Sequence, residues 1–172
     1  MTEDLEAQRP APVLETHRLL LRPFTVEELD AVAAGEHAGH FARGFPTAED
    51  MDFARESLMA GGYFFTESVY ARMAIVEKST GEIVGTAGFV GPPIDAELEI
   101  VGSLAADRRN RGYGQEGVAA LLGVAFTDPS VTAVRASVPG DNAPAAQVLL
   151  AAGFAHREAP GPETDYFLPR PG

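Results

Sequence analysis

Asp107-Arg108-Arg109-Asn110-Arg111-Gly112-Tyr113-Gly114-Gln115-Glu116 is the stretch on which the reading of this chain turns. Three of the thirteen basic residues fall within four positions of a chain whose net charge is −12. Before the stretch, Glu97–Leu104 (ELEIVGSL) alternates like a strand. After it, Gly114–Phe126 reads as a long apolar helix stopped by Asp128-Pro129. The stretch therefore sits where a strand hands over to a helix. Glycines let such a loop turn its N–H groups inward. The helix start adds unpaired N–H groups and the positive end of a dipole. Arginines add charge and forked donors. Together these make an anion site suited to a pyrophosphate; a solvated basic turn is the plainer alternative.

Two other phosphate motifs fit less well. A Walker loop, GxxxxGK followed by Ser or Thr, needs a lysine that this stretch lacks. The dinucleotide pattern GxGxxG is formally present as Gly112, Gly114 and Gly117. It wants its first glycine directly after the strand, and the polar residues Asp107–Arg111 intervene. It also wants an acid at the end of the next strand, where Ser137-Val138-Pro139-Gly140 stands and Asp141 comes late.

Outward from the loop, the N-terminal half opens with an apolar run of β character, Arg18–Phe24. Thr25 and Glu28 then form the signature of a capped helix, with Gly35 as its stop. Glu36–Pro46 reads as a loop carrying His37, His40, Phe41 and Phe45. Thr47 caps a helix over Ala48–Ala60, ended by Gly61-Gly62. Ala71–Glu77 and Ile83–Val90 form a hairpin around Ser79-Thr80-Gly81-Glu82. Gly102 inside the third strand signals a bulge or the close approach of another backbone. Val131–Val138 is a strand, Asn142–Ala152 an amphipathic helix with Gly153 at its C-cap, and Phe154–Glu158 with Asp165–Leu168 a last hairpin. The fold class is α/β or α+β. A mixed, mostly antiparallel sheet carries one parallel pair closed by a helical crossover, with helices on both faces.

A length of 172 residues fits one domain. We expect a flexible segment over residues 1–12 and a single domain over 13–172. The absence of cysteine excludes disulfides, cysteine nucleophiles and thiolate metal sites. Met1–Pro12 lacks the basic and apolar regions of a secretory signal, and no apolar run approaches a membrane span, so a cytoplasmic protein with no membrane partner is expected. The strong negative charge argues against nucleic acid and favours cationic partners, or serves solubility alone.

The sequence resembles the GCN5-related N-acetyltransferase (GNAT) superfamily. That family's pyrophosphate motif, Gln/Arg-x-x-Gly-x-Gly/Ala, reads Arg109-Asn110-Arg111-Gly112-Tyr113-Gly114 here. Glu99-Ile100-Val101-Gly102-Ser103-Leu104 precedes it, and Gln115-Glu116-Gly117-Val118 follows. Downstream, Asp141–Phe154 looks like the family's Asn-led helix ending in Gly-Phe. The opening Leu14–Phe24 is similar to the branch that acetylates N-termini of ribosomal proteins.

The resemblance implies an acyl-CoA-dependent N-acetyltransferase acting on a protein N-terminus or a small amine, with acetyl-CoA as donor and no metal. It implies that Arg109, Asn110, Arg111, Gly112, Tyr113, Gly114 and Gln115 hold the pyrophosphate. Leu104, Ala105 and Ala106 would pair with the pantetheine arm where the strand splays near Gly102, and Asn142 would fix that arm or the first turn of its own helix. A backbone N–H near Ser103 or Leu104 would stabilise the oxyanion. Glu99 would be the base, with Glu97 as its neighbour on the same strand face. The serine and tyrosine that relatives offer as general acid are Ala145 and Leu149 here, leaving Tyr113, Ser103 or water. That departure supports the alternative of a non-catalytic acyl-CoA-binding sensor or scaffold; an oxidoreductase using the glycine pattern is the third reading. His37 and His40 lack a third ligand for a metal. A homodimer is expected by analogy with the family.

Overall fold

The computed structural model describes residues 13–60, 69–158 and 160–172. The expected flexible segment 1–12 and the Gly61-Gly62 stop lie outside the described residues. The strands are β1 (Leu14–Glu15), β2 (Leu19–Arg22), β3 (Arg72–Glu77), β4 (Ile83–Phe89), β5 (Glu97–Leu104), β6 (Ala133–Pro139), β7 (Ala155–Arg157) and β8 (Glu163–Pro169). The helices are α1 (Val26–Ala33), α2 (Ala48–Met59), α3 (Tyr113–Ala125) and α4 (Ala143–Ala151), with a 3₁₀ turn at Ala106–Arg108. One eight-stranded sheet runs β1-β2-β3-β4-β5-β6-β8-β7. Its pairs are antiparallel except β5 with β6, which α3 joins as a crossover. The mixed sheet of the sequence reading is therefore the observed one.

Local chemistry accounts for the elements. Thr25 Oγ1 accepts from the Glu28 N–H at 3.1 Å and Glu28 Oε1 accepts from the Thr25 N–H at 2.9 Å, closing the expected capping box. Thr47 and Asp50 repeat the device on α2. β1, which pairs with β2, leaves no signal in the sequence, because a two-residue strand has no period to detect. Gly102 carries no bulge: β4 and β5 stay in one register from Phe89↔Ile100 to Gly85↔Leu104. The backbone that approaches it is β4 of the same chain, with Thr86 O 2.8 Å from where a Cβ would stand.

Two apolar clusters lie on opposite faces of the sheet. One joins Leu19, Met73, Ile75, Leu98 and Ile100 to Leu121 and Ala125 of α3 and Leu149 of α4. The other joins Leu29 and Val32 of α1, Phe53 and Ala54 of α2, Phe41 and Phe45 to Ala74 and Ile83. Phe41 and Phe45 are thus core side chains. No helix among the described residues is long and apolar enough to cross a membrane.

Candidate functional site

The sheet opens at its one parallel pair. β5 and β6 are in register only at Glu97↔Ala133, Leu98↔Val134 and Glu99↔Arg135. Beyond Glu99, β5 runs on to Leu104 and β6 to Pro139 without pairing to each other. The splay therefore begins at Glu99, ahead of its expected place near Gly102. The phase of β5 is fixed by two hydrogen bonds to its other neighbour: Val90 N–H to Glu99 O at 2.9 Å and Ala105 N–H to Val84 O at 2.8 Å. Antiparallel strands turn alternate peptide groups to the same side. Residues 99, 101, 103 and 105 thus face β4, and beyond the last rung at Glu99↔Arg135 the peptide groups of Gly102 and Leu104 face the gap.

This phase divides the expected site residues. Leu104 presents its N–H and C=O to the gap. Ser103 does not: its amide faces β4 and its hydroxyl donates to Asp50 Oδ1 at 2.6 Å. Ala105 does not face the gap either. It is fully buried, its N–H is taken by Val84 O, and its carbonyl accepts from the Arg108 N–H at 2.9 Å. Ala106 is exposed at the start of the 3₁₀ turn. Asp50, fully buried, gathers Ser103, Thr86 and Arg72 into one polar cluster that ties α2 to β3, β4 and β5.

The loop at the start of α3 turns through two residues of positive φ. Gly112 is the N-cap with φ 83°, and Asn110 also has a positive φ of 64°. Gly112 O accepts from the Glu116 N–H at 3.0 Å, so the N–H groups of Tyr113, Gly114 and Gln115 have no partner within the helix. A Cβ at Gly114 would stand 2.9 Å from Val148 Cγ2, so glycine here lets α3 close on α4. The three arginines separate by role. Arg108 is a strut: its Nε lies 3.3 Å from both Glu77 oxygens and its Nη2 2.7 Å from Glu82. Arg111 is half exposed, with Nη1 3.7 Å from Glu77. Arg109 is exposed and makes no side-chain bond to another described residue. Unpaired N–H groups, positive-φ turns and one uncommitted guanidinium fit a pyrophosphate.

Sequence reasoning missed what supports this cradle. Arg18 Nη1 donates to Arg111 O at 2.7 Å, and its guanidinium covers the Tyr113 ring at 4.6 Å. Glu116 Oε1 and Oε2 accept from Arg18 Nε and N at 2.8 Å each, and Oε2 also from Thr16 Oγ1. Tyr113 donates its hydroxyl to Glu77 Oε2 at 2.7 Å. Burial pushes Glu77 up, but Tyr113, Thr80 and Arg108 together bring it below the usual carboxylate range. The same bond to Glu77, with burial, raises the Tyr113 phenol. Tyr113 is 6% exposed with its proton committed, so it is no general acid for the gap. Only partners far apart in sequence reveal these roles.

Asn142 serves its own helix: Oδ1 accepts from the Ala145 N–H at 3.3 Å. Glu99 stands at the apex of the splay with Oε1 2.8 Å from Arg135 Nη1, and Glu97 meets Arg157 at 3.2 Å. Each glutamate is thus paired with an arginine. His40 Nε2 lies 2.6 Å from Glu28 Oε2, on a carboxylate that Arg22 also holds at 2.8 and 2.9 Å. Among the described residues no three His, Asp or Glu side chains form a group able to hold a metal.

A mixed sheet parted at one parallel pair, with a helix N-terminus and its free N–H groups at the parting, fits an acyl-CoA-dependent transferase. The chain belongs to the GNAT acetyltransferase family: the family model described as Acetyltransferase (GNAT) domain matches residues 18–155. The chain is 28% identical over 152 residues to YjdG, an uncharacterized N-acetyltransferase of Bacillus subtilis (strain 168), covering 83% of this chain and 89% of that protein. Among solved structures, Mycobacterium smegmatis RimJ in complex with CoA-disulfide superposes with a TM-score of 0.62 at 17% identity, covering 96% of this chain and 89% of that one. The ribosomal-protein-S5-alanine acetyltransferase of Vibrio fischeri does so at 0.62 and 14%, covering 92% and 96%. The family carries N-acetyl transfer. The dinucleotide reading falls, because the 3₁₀ turn Ala106–Arg108 separates Gly112 from the end of β5.

Proposed function

We propose that the chain moves the acetyl group of acetyl-CoA to a primary amine, a protein N-terminus or a small molecule, by direct attack within a ternary complex, with residues 13–172 as one catalytic domain. The observation that carries this is the parting of β5 from β6 at Glu99, beside unpaired peptide groups that lead to the Arg109–Gln115 cradle. In this reading the N–H groups at the start of α3 and the Arg109 guanidinium hold the pyrophosphate. The Leu104 N–H holds the thioester oxygen, where a fixed donor gains strength as negative charge develops. Glu99 takes the proton of the attacking amine.

Among the described residues, none of the candidates for general acid has a proton free for the departing thiolate. Ala145 and Leu149 have none to give, and Ser103 and Tyr113 have theirs committed to Asp50 and Glu77. A thiolate leaves without one, and water returns the proton. Free thiol release from acetyl-CoA over a panel of amines and peptides tests the reading. Glu99→Gln should lower kcat by about 100-fold or more while acetyl-CoA still binds; thiol release equal to wild type would remove Glu99 as the base.

A further inference from the structure

On the sheet face that looks away from α3, five charged side chains form a chain of contacts that leaves β5 at Glu99, passes over β6, β8 and β7, and returns to β5 at Glu97. Glu99 meets Arg135 Nη1 at 2.8 Å, and Arg135 Nε lies 3.6 Å from Asp165 Oδ1. Asp165 Oδ2 accepts from Arg157 Nε at 2.7 Å, and Arg157 Nη2 reaches Glu97 at 3.2 Å. The signs alternate, with an acid at each end. Three carboxylates face two guanidiniums, so the line is one positive charge short.

The shortfall has a location. Asp165 is 4% exposed, and its buried Oδ1 has no hydrogen-bond donor among the described residues. Burying a carboxylate oxygen unbonded is unfavourable. Arg135 is the group that could satisfy it. It now spends its short contact on Glu99 and stops at 3.6 Å from Asp165. A guanidinium carries five donors in a rigid fork on a flexible stem. A small swing closes Nε onto Asp165 and withdraws Nη1 from Glu99.

We infer that Arg135 is the displaceable counter-ion of Glu99, and that the acceptor is an alkylammonium which takes its place while Arg135 closes onto Asp165 Oδ1. This rests on the reading of Glu99 as the base. With the acceptor in place the line holds three cations against three anions. The ammonium gives one N–H proton to Glu99, leaving a neutral amine. The nitrogen lone pair forms the bond to the thioester carbonyl carbon, and the C–S bond breaks with its electron pair on sulfur. The second nitrogen proton reaches the thiolate through water, and Glu99 returns the first to solvent. A neutral or anionic acceptor cannot displace the guanidinium, so the site selects cationic amines.

The test uses the full chain, n-butylammonium chloride as probe and n-butanol at matched ionic strength as control. The ¹H–¹⁵N signals of the arginine Nε groups are followed, with Arg135→Gln assigning the Arg135 signal. Butylammonium should shift that signal saturably and butanol should not. Arg135→Gln should bind butylammonium about fivefold more tightly, the scale of one partly exposed ion pair. Asp165→Asn should bind it more weakly by a similar factor, because Arg135 loses its second seat. The double variant should bind like Arg135→Gln alone, since no arginine remains to be seated. A merely structural Asp165 would give the same loss with or without Arg135, and that result overturns the inference. So does an Arg135 signal that saturating butylammonium leaves unmoved. If Asp165→Asn does not fold, the wild-type titration decides alone. Failure of Glu99 as base shows differently: Glu99→Gln keeps thiol release while the Arg135 signal of the wild type still shifts.

Discussion

Arg18 and Glu116 stand 98 residues apart in sequence and meet through Nε and Oε1 at 2.8 Å. The contact joins the start of β2 to the first turn of α3, under the cradle. Glu116 also takes the Arg18 N–H and the Thr16 hydroxyl, so one carboxylate satisfies three donors. Glu116→Ala strands those donors and should cost about 3 kcal/mol of stability. Arg18 in turn holds the Arg111 carbonyl, so the loop should slacken and the Kd for coenzyme A should rise about tenfold. Urea unfolding and calorimetric titration measure the two effects. A stability loss with coenzyme A affinity unchanged would show that the clamp braces the fold but not the cradle.

The three loop arginines should separate in one experiment. Arg109→Glu removes an uncommitted charge, so coenzyme A should bind about tenfold or more weakly with Tm unchanged. Arg108→Gln withdraws the main cation from Glu77, which is 2% exposed, and should cost about 3 kcal/mol in unfolding. Arg111→Glu sets a carboxylate beside Glu77 and should show both effects. If Arg109→Glu leaves coenzyme A affinity at the wild-type value, the cradle is not the pyrophosphate site.

Helix starts were legible in the sequence because caps are local: Thr25 with Glu28 and Thr47 lie within one turn of what they satisfy. The β5–loop–α3 motif was legible for the same reason, since its residues are contiguous. The phase of β5 was not, because it depends on hydrogen bonds from Val90 and Ala105 into a neighbouring strand. That phase separates Leu104 from Ser103 and Ala105. The turn before β5 was also hidden. Ile94 and Glu97 exchange both backbone bonds around Asp95 and Ala96, with φ of 52° and 64°. Such turns favour Asn-Gly, and Asp-Ala gives no such signal. The ion line from Glu99 to Glu97 draws on four strands, and no spacing within one segment predicts it.

Close approach of α3 to α4 offers a test of packing by compensation. Gly114→Ala places a methyl 2.9 Å from Val148 Cγ2. Overpacking of this kind costs about 1–3 kcal/mol. Val148→Ala removes the opposing methyls, so the double variant should recover most of the loss, a coupling that independent sites do not show. Thermal unfolding of the two single variants and the double variant gives the coupling directly. Additive losses would mean that the contact is relieved elsewhere, by backbone movement instead of at Val148.

Acid should unfold this protein chiefly through Glu28, Glu77 and Glu116, the lowered carboxylates that the fold shields from water. Burial works to raise Glu28, but bonds from Arg22, the Thr25 N–H and His40 hold it at about 2. Glu77 and Glu116 are lowered in the same sense, burial being outweighed by Tyr113, Thr80 and Arg108 for the first and by Thr16 and Arg18 for the second. The unfolded chain protonates such groups near pH 4 to 5. A carboxyl depressed in the folded state adds stability that is fully present above its unfolded value. As pH falls from about 5 towards 2, the unfolded state gains protons that the folded state refuses, and that stability drains away. Unfolding free energy in urea should therefore be flat from pH 7 to about 5 and fall steeply below. Glu28→Gln should lower stability at pH 7, by on the order of 2 kcal/mol after allowance for solvent screening, and much less at pH 3. A wild type and Glu28→Gln whose curves run parallel down to pH 3 would assign the acid sensitivity to other groups.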